Sequence, residues 1–264
     1  MQSKLRDTLL RAGKWIVPPL AVLGAITAWF ALDPGFGRSK SDVATSMPPD
    51  AFERRVRDYL LKNPEVIVEA VQRLEARRYA TEESEVQAVL KSRADEVFRD
   101  PASPVVGNPD GDVTVVEFFD YNCPYCRKVA GVVQEVEAGD SQLRFVYKEF
   151  PILGPNSVFA AKAALAAHRQ GRYAEFHKAL MQARGAADQT SVVRMAAELG
   201  LDETRLKADM ADPAIQSALD RNLDLARALR IAGTPGFVVG DEILRGATDV
   251  GTLRKLVDKA RNKP

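Results

Sequence analysis

The sequence has only two cysteines and two histidines in its 264 residues. A structural zinc site takes four ligands, and the nine-residue separation of His168 and His177 is wrong for a zinc finger. Cys123 and Cys126 therefore lack the partners that a zinc site needs, and no zinc site is expected. Because both histidines fall on amphipathic helical segments, we interpret them as structural or surface residues.

Clusters of basic residues are also missing. The chain has 37 lysines and arginines against 36 aspartates and glutamates, and no basic block that would mark nucleic-acid binding. Internal repeats and low-complexity segments are lacking as well. Since 46% of the residues are hydrophobic, the chain can build an ordinary core. The composition indicates a folded protein without a nucleic-acid partner.

The first 32 residues combine a basic end with an uncharged run of 18 residues, Trp15 to Leu32. The basic end contains Lys4, Arg6, Arg11 and Lys14. This pattern fits an uncleaved membrane anchor, a signal peptide or a buried helix. We favour the anchor, because signal cleavage needs a small residue at the third position before the cut. Cleavage after Ala28 would place Ile26 there, and cleavage after Ala31 would place Trp29 there. The positive-inside rule then places the rest of the chain outside the inner face of the membrane.

Two segments of different composition follow. Residues 33–49 are rich in glycine, proline and small polar residues and are predicted to form a flexible linker. Residues 50–98 lack glycine and have one proline, Pro64, which predicts a short helix and then a long one in a helical stalk. The long helix carries one apolar stripe: Val66, Ile67, Ala70, Val71 and Leu74. Either self-association or folding back on the next domain would bury this stripe.

Residues 99–264 have the pattern of an α/β domain. The stretch VTVVEFF, from Val113, predicts a buried strand that runs through the cysteines into a helix, and RFVYKEF, from Arg144, predicts a second strand. Helical spacing continues from Asn156 to Ile231, where four helices are expected. GTPGFVVGDEILRG then predicts two strands joined by a tight turn, before a final helix.

The two cysteines lie at the predicted strand-to-helix junction, separated by Pro124 and Tyr125. A disulfide between residues this close in sequence would add little stability, because it closes a very short loop of the unfolded chain. Two thiols without a function in an exported chain would tend to oxidise. At a helix amino terminus, unpaired N–H groups and the helix dipole favour the thiolate of Cys123, while Cys126 is placed to resolve a mixed disulfide. A C-x-x-C motif beside a β-α-β pattern therefore predicts redox chemistry.

Two further features fit this chemistry. Glu117 lies mid-strand among apolar residues, where a buried carboxylate needs a partner or a raised pKa, and Lys148 in the next strand is the predicted partner. Such a glutamate can exchange a proton with the resolving thiol; the alternative is a surface residue of an edge strand. Thr234 and Pro235 form either a cis peptide facing Cys123, which would hold a substrate chain, or an ordinary turn.

The stretches EFFDYNCPYC and GTPGFVVG, with the helical block between them, resemble the DsbA-like branch of the thioredoxin superfamily from about Pro104 to Ala260. The resemblance implies an α/β, thioredoxin-like fold with a helical domain inserted at about 154–231, preceded by the helical stalk and the N-terminal membrane anchor. By position it implies these roles: Cys123 as nucleophile, Cys126 as resolving thiol, Pro235 as the cis-proline after Thr234, and Glu117 with Lys148 as a buried acid–base pair. No cofactor is expected.

The stretch LLKNPEVIVEAVQRLE is similar to the amino-terminal segment of ScsC-like proteins, a DsbA-like group in which such a segment can mediate trimerisation. This similarity implies a homo-oligomeric isomerase or reductase of exported proteins on the periplasmic side of the bacterial inner membrane. Its membrane redox partner would be DsbD/ScsB-like or DsbB-like. DsbA has histidine where this chain has Tyr125, and we therefore expect a less oxidising dithiol here.

Three other functions stay open at this point. One is a DsbA-type dithiol oxidase. Another is a Cu(I)-binding protein, because two thiolates suit this soft ion. The third is an anchored oligomeric scaffold in which the cysteines are incidental.

Overall fold

The computed structural model describes residues 48–263 of the chain. The predicted anchor and nearly all of the predicted linker lie outside these residues. Within 48–263, no helix is both long and apolar enough to cross a membrane. The chain divides into two compact units, one ending at Val71 and the other beginning at Gln72. This division falls inside the stretch 50–98 that the sequence predicts as one stalk.

The first unit contains helix α1, Pro49–Lys62, and the beginning of helix α2, Glu65–Ser92. The break between the two helices falls at Asn63 and Pro64, so the predicted short helix followed by a long one is confirmed. No residue of α1 is buried. Several large apolar side chains of this unit are exposed: Phe52, Val56, Tyr59, Leu61, Ile67, Val68 and Val71. The unit therefore exposes a set of large apolar side chains to solvent.

The second unit is an α/β domain. Its helices after α2 are α3 (Ala94–Phe98), α4 (Pro124–Gly139), α5 (Pro155–Arg169), α6 (Tyr173–Gln182), α7 (Gln189–Glu198), α8 (Glu203–Met210), α9 (Pro213–Ala228) and α10 (Val250–Arg261). Its strands are β1 (Val105–Gly107), β2 (Val113–Phe119), β3 (Leu143–Glu149), β4 (Gly236–Val239) and β5 (Glu242–Arg245). The predicted order β-α-β, helices, β-β-α is confirmed from β2 onward. The sequence reasoning missed the short strand β1 and the helix α8.

The five strands form one mixed sheet in the order β1-β3-β2-β4-β5. Strands β2 and β3 are parallel, while β1, β4 and β5 each pair antiparallel with a neighbour. Because β2 is central, residues on both of its faces are buried, as the near-continuous apolar sequence of this strand predicts. The C-x-x-C motif therefore follows the central strand of the sheet.

Side chains alternate between the two faces of β2, so each face contributes to a different core. Val115 and Phe119 pack into a large cluster with α4, α10 and the helical block. Val116 and Phe118 pack on the other face, together with residues of α2, α3 and α9. Helices thus cover both faces of the sheet, which confirms the predicted α/β, thioredoxin-like architecture with a helical insertion.

Candidate active site

The C-x-x-C motif lies where β2 passes through a short loop into α4. Cys123 is the N-cap residue of α4, and Pro124 occupies the first turn, where its missing N–H costs no hydrogen bond. The amide of Cys123 donates to the carbonyl oxygen of Asp120 at 3.1 Å, which fixes the loop in front of the helix. Both cysteines are free thiols with little exposure, 4% for Cys123 and 0% for Cys126, whereas Tyr125 is 64% exposed.

The loop before β4 approaches the first cysteine. The thiol of Cys123 donates a hydrogen bond to the carbonyl oxygen of Thr234, with 3.2 Å between sulfur and oxygen. The sequence left open whether the Thr234–Pro235 peptide bond is cis or belongs to an ordinary turn, and in the structure this bond is cis. The structure therefore brings together two predicted site residues that are 111 positions apart in the chain.

The second cysteine lies deeper in the protein. Burial raises the pKa of the Cys126 thiol; the nearby charge of Glu117 raises it further, and a backbone hydrogen bond involving Asp120 opposes the rise. A thiol with a raised pKa keeps its proton at neutral pH and is a poor attacking group until that proton is removed. The two cysteines are thus unequal in position, with Cys123 at the helix end and Cys126 inside.

Glu117 lies in the central strand and is only 2% exposed, so the alternative of a surface residue in an edge strand is wrong. Its Oε1 atom has no hydrogen-bond partner among the described residues. Burial raises the pKa of Glu117 to about 8, because nothing in its surroundings compensates the lost solvation of the charge. A carboxyl group in this state can hold or release a proton near neutral pH.

The predicted pairing of Glu117 with Lys148 is wrong. In the parallel register, Glu117 lies across from Tyr147 and Lys148 lies across from Phe118, so the two side chains point to opposite faces of the sheet. Lys148 instead donates to the carbonyl oxygen of Glu96 at 2.6 Å and to Ser103 Oγ at 2.8 Å.

The fully buried ammonium of Lys148 thus ties the start of the second unit to the sheet. Asp100 lies 3.7 Å from its Nζ. Burial lowers the pKa of Lys148 to about 8, and the charge of Asp100 opposes this change. The catalytic role that the sequence assigned to Lys148 stays a prediction, and its contacts are those of a structural residue.

Asp120, which the sequence reasoning did not select, holds the active-site loop in place. Its Oδ1 accepts hydrogen bonds from the amide of Asn122 at 2.7 Å and from Ser157 Oγ at 2.8 Å. Its Oδ2 accepts from the amides of Ile152 and Leu153 at 2.9 and 3.0 Å. One carboxylate therefore joins the cysteine loop to the loop that follows β3 and to α5.

A second unpredicted feature is a buried polar network beside the active-site loop. Oε1 of Glu149 lies 3.0 Å from Tyr121 Oη and 2.9 Å from Tyr173 Oη. His177 Nδ1 lies 3.1 Å from Tyr121 Oη. Burial raises the pKa of Glu149 well above its ordinary value, and the hydrogen bonds from the Tyr173 and Tyr121 hydroxyls oppose this rise. A neutral His177 completes the network through its contact with Tyr121. Burial lowers the pKa of His177 to about 3, which favours this neutral form.

The network and Asp120 connect segments that are far apart in sequence, so no local spacing identifies them. The sequence offers only one signal for each: Asp120 is an acidic residue directly after the buried strand β2, and Glu149 is an acidic residue at the end of the buried strand β3. Neither signal indicates a partner.

In residues 48–263 no group of three histidine, cysteine, aspartate or glutamate side chains is arranged to hold a metal ion.

Comparison with known protein families places both parts of the described chain. Residues 114–258 match the DSBA-like thioredoxin domain, and residues 50–80 match the copper resistance protein ScsC N-terminal domain. The first match covers more than half of the chain and includes both cysteines, Thr234 and Pro235.

Three solved structures are similar to this chain. A thioredoxin-like oxidoreductase from Silicibacter pomeroyi DSS-3 is 49% identical, with a TM-score of 0.63, over 64% of this chain and 98% of that one. The catalytic domain of Proteus mirabilis ScsC is 30% identical, with a TM-score of 0.62, over 67% and 99%. A periplasmic thioredoxin-like protein from Salmonella enterica serovar Typhimurium is 30% identical, with a TM-score of 0.60, over 64% and 96%.

Curated relatives include much longer proteins. A Na⁺/H⁺ antiporter NhaA of Herminiimonas arsenicoxydans is 32% identical over 171 residues, which are 62% of this chain and 27% of the antiporter. The chain thus spans about a quarter of the length of that relative.

The family match, the mixed sheet flanked by helices and the dithiol at the start of α4 agree with one another. The chain belongs to the DSBA-like thioredoxin family of thiol-disulfide oxidoreductases.

Proposed function

We propose that this chain exchanges disulfides with exported proteins through Cys123 and Cys126. The observation that carries the proposal is the position of Cys123, at the amino end of α4 and 3.2 Å from the Thr234 carbonyl oxygen. The carbonyl group of Thr234, which faces Cys123, supplies a main-chain acceptor for an extended substrate segment.

The exchange follows two balanced steps. The Cys123 thiolate attacks a substrate disulfide, forms a mixed disulfide and releases one substrate thiolate. Cys126 then loses its proton and attacks the Cys123 sulfur, which releases the second substrate thiolate and leaves a Cys123–Cys126 disulfide. The substrate is reduced and the protein is oxidised. Glu117, whose carboxyl group is buried and unpaired, is the proposed acceptor of the Cys126 proton.

We favour isomerisation or reduction of substrates over DsbA-type oxidation as the direction of this chemistry. The support is the match of residues 50–80 to the ScsC N-terminal domain, together with the exposed apolar residues of α1 and α2. Burying these residues in a homo-oligomer would hold several dithiols together, which favours repeated exchange on one substrate. Tyr125 is the second of the two residues between the cysteines, where DsbA has histidine. It supplies no imidazolium to stabilise a thiolate, so a less oxidising dithiol is expected.

The proposed location is the periplasmic side of the bacterial inner membrane, with residues 15–32 as anchor. A similar Salmonella protein is described as periplasmic, and thiol exchange with exported proteins takes place in that compartment. A reductase or isomerase must be returned to its dithiol form by a membrane reductant of the DsbD/ScsB type. A dithiol oxidase would need a DsbB-like oxidant instead.

To test this proposal, the full-length chain is equilibrated with defined ratios of reduced and oxidised glutathione. The fraction of the Cys123–Cys126 pair in the disulfide form is then measured. The mass of the particle is recorded on the same sample, and Cys123→Ser is the control. A reducing dithiol on an oligomer supports isomerase or reductase activity. A strongly oxidising dithiol on a monomer supports the oxidase. Absence of exchange would remove the enzyme proposal and leave metal binding or a scaffold.

Cu(I) binding is the second candidate, because residues 50–80 match a domain named for copper resistance and the two thiols lie close in sequence. A competition with a chromophoric Cu(I) chelator distinguishes the two functions. Copper binding should survive Pro235→Ala, whereas substrate exchange should be impaired by this change in the loop that faces Cys123.

A further inference from the structure

A cavity of about 790 Å³ lies in the second unit, lined by α4, α6 and the strands β1 to β3. This volume falls in the range of small-molecule sites in proteins. The cavity is partly open to solvent, and neither the cysteines nor Thr234 and Pro235 line it. It is therefore separate from the surface on which a substrate thiol would meet Cys123.

The wall of this cavity is mostly apolar. Ala130 and Val133 of α4, Tyr147 of β3 and Met181 of α6 contribute to it, and all four are buried. Such a wall favours the hydrocarbon part of a ligand, because binding removes its apolar surface from water.

The charges that line the cavity are predominantly negative. The carboxylates are Glu117, Glu137, Asp140 and Glu175, whereas Lys178 is the one ammonium among the described lining residues. Asp140 and Glu175 have arginine partners, Arg261 at 2.9 Å and Arg172 at 3.3 Å. Glu117 and Glu137 take part in no ion pair within 4 Å in residues 48–263. Burial raises the pKa of both of these carboxyl groups, with the charge of Lys178 opposing the rise at Glu137. A cation bound in the cavity would therefore favour their ionised forms.

Glu117 is the fully buried member of this set. It is 2% exposed, it lines the cavity, and its Oε1 atom has no hydrogen-bond partner in the described part of the chain. A buried polar atom without a partner is costly, and a donor delivered by a ligand would remove this cost. An ammonium group supplies both the hydrogen bond and the opposite charge.

His177, which also lines the cavity, does not oppose a cation. Its ring packs against Tyr147 and Tyr173, and its Nδ1 bonds to Tyr121 in the buried network. Burial lowers the pKa of His177 and keeps the ring neutral. The aromatic faces of Tyr147 and His177 also suit the body of an apolar or aromatic ligand.

We propose that this cavity binds a small organic amine, with its ammonium group on the carboxylate of Glu117 and its apolar body against Ala130, Val133 and Met181. The cavity is not lined by either cysteine, although it shares Glu117 with the proton transfer proposed for Cys126. The proposal needs no redox activity of the chain.

Benzylamine is the probe, and benzyl alcohol is its uncharged counterpart of equal size. Binding to the full-length chain in a non-ionic detergent is measured by titration calorimetry at pH 7.5. We expect one benzylamine per chain, with a dissociation constant in the millimolar range or below, and at least about tenfold weaker binding of benzyl alcohol. Equal affinity for the two probes would show that charge plays no part and would overturn the proposal.

Glu117→Gln tests the assigned carboxylate, and Glu175→Gln, at the paired lining residue, is the matched control. Glu117→Gln should weaken benzylamine binding by about tenfold or more, while Glu175→Gln should change it less than about twofold. Thermal unfolding of each variant verifies that it is folded. Unchanged binding to folded Glu117→Gln would refute the site.

A second variant fills the cavity without removing a core side chain. Gln134 lines the cavity from α4 and is only half-buried, so Gln134→Trp places a large ring there and leaves Glu117 intact. It should abolish benzylamine binding, and the new indole gives an independent fluorescence signal. Full binding by Gln134→Trp would place the amine elsewhere and would also overturn the proposal.

Discussion

Cys123 Sγ and the carbonyl oxygen of Thr234 are 3.2 Å apart, so the N-cap residue of α4 contacts the loop that leads into β4. Cys126, three residues further along the chain, has no exposure and lies beneath this contact in the core. Two thiols of one short motif therefore have different surroundings. This difference is the physical basis for assigning them different roles.

The first prediction concerns the reactivity of the two thiols. At pH 7, iodoacetamide should modify the single cysteine of Cys126→Ser at least roughly tenfold faster than that of Cys123→Ser, because burial raises the pKa of Cys126. Mass spectrometry of timed samples gives both rates. Each variant serves as the control of the other, and equal rates would contradict the proposed order of attack.

The second prediction concerns the pH dependence of stability. The pKa of Glu117 is about 8 in the folded chain and near its ordinary value of 4.5 when unfolded. As pH rises from 4.5 to 8, the unfolded chain releases this proton while the folded chain keeps it, and the contribution of Glu117 to folding stability is lost. Glu117→Gln removes this dependence.

Relative to the unmodified chain, Glu117→Gln should therefore gain on the order of 3 kcal/mol in unfolding free energy between pH 5 and pH 8. Urea denaturation at the two pH values measures this difference. Glu175→Gln, at an ordinary surface carboxylate, should show no such gain. A constant difference between the Glu117→Gln variant and the unmodified chain at both pH values would mean that Glu117 is solvated.

The third prediction concerns the buried network. Tyr173→Phe removes the hydroxyl that lies 2.9 Å from Glu149 Oε1 and leaves the buried carboxylate with one donor fewer. It should lower the unfolding free energy by about 1–3 kcal/mol. Tyr79 is 72% exposed, so Tyr79→Phe should change stability by less than about 0.5 kcal/mol. Chemical denaturation compares the two, and equal effects would show that the network adds no stability.

The parts of the fold that the sequence predicts are those with a local signal. A buried strand before the cysteines, a helix after them and a tight turn at Gly240 and Asp241 all follow from short-range patterns, and all are present. The wrong pairing of Glu117 with Lys148 has a different origin. Adjacent strands do not reveal their register, and a shift by one residue moves a side chain to the other face of the sheet.

The candidate site shows the same division. The dithiol and the Thr234–Pro235 peptide carry motifs. Glu149 instead meets Tyr121 of the loop after β2 and Tyr173 of α6 only when these segments pack together. These contacts join residues 28 and 24 positions apart. Their geometry depends on tertiary structure that no periodicity encodes, so a single sequence could not predict them.

The last prediction compares two glycines with opposite surroundings. Gly131 is exposed within α4, and a Cβ added there would meet no atom within 4 Å. Gly131→Ala should therefore raise the unfolding free energy by about 0.5–1 kcal/mol, since alanine is the better helix former. A Cβ on Gly111, in the loop before β2, would lie 2.4 Å from the carbonyl oxygen of Gln142.

That carbonyl oxygen already accepts the amide of Asp112 at 2.9 Å, so the backbone there is fixed and cannot yield cheaply. Gly111→Ala should lower the unfolding free energy by about 1–3 kcal/mol. Urea denaturation of the two variants beside the unmodified chain measures both changes. A gain in stability from Gly111→Ala would contradict the close approach of this loop to the start of β3. A loss from Gly131→Ala would contradict the open surroundings of Gly131.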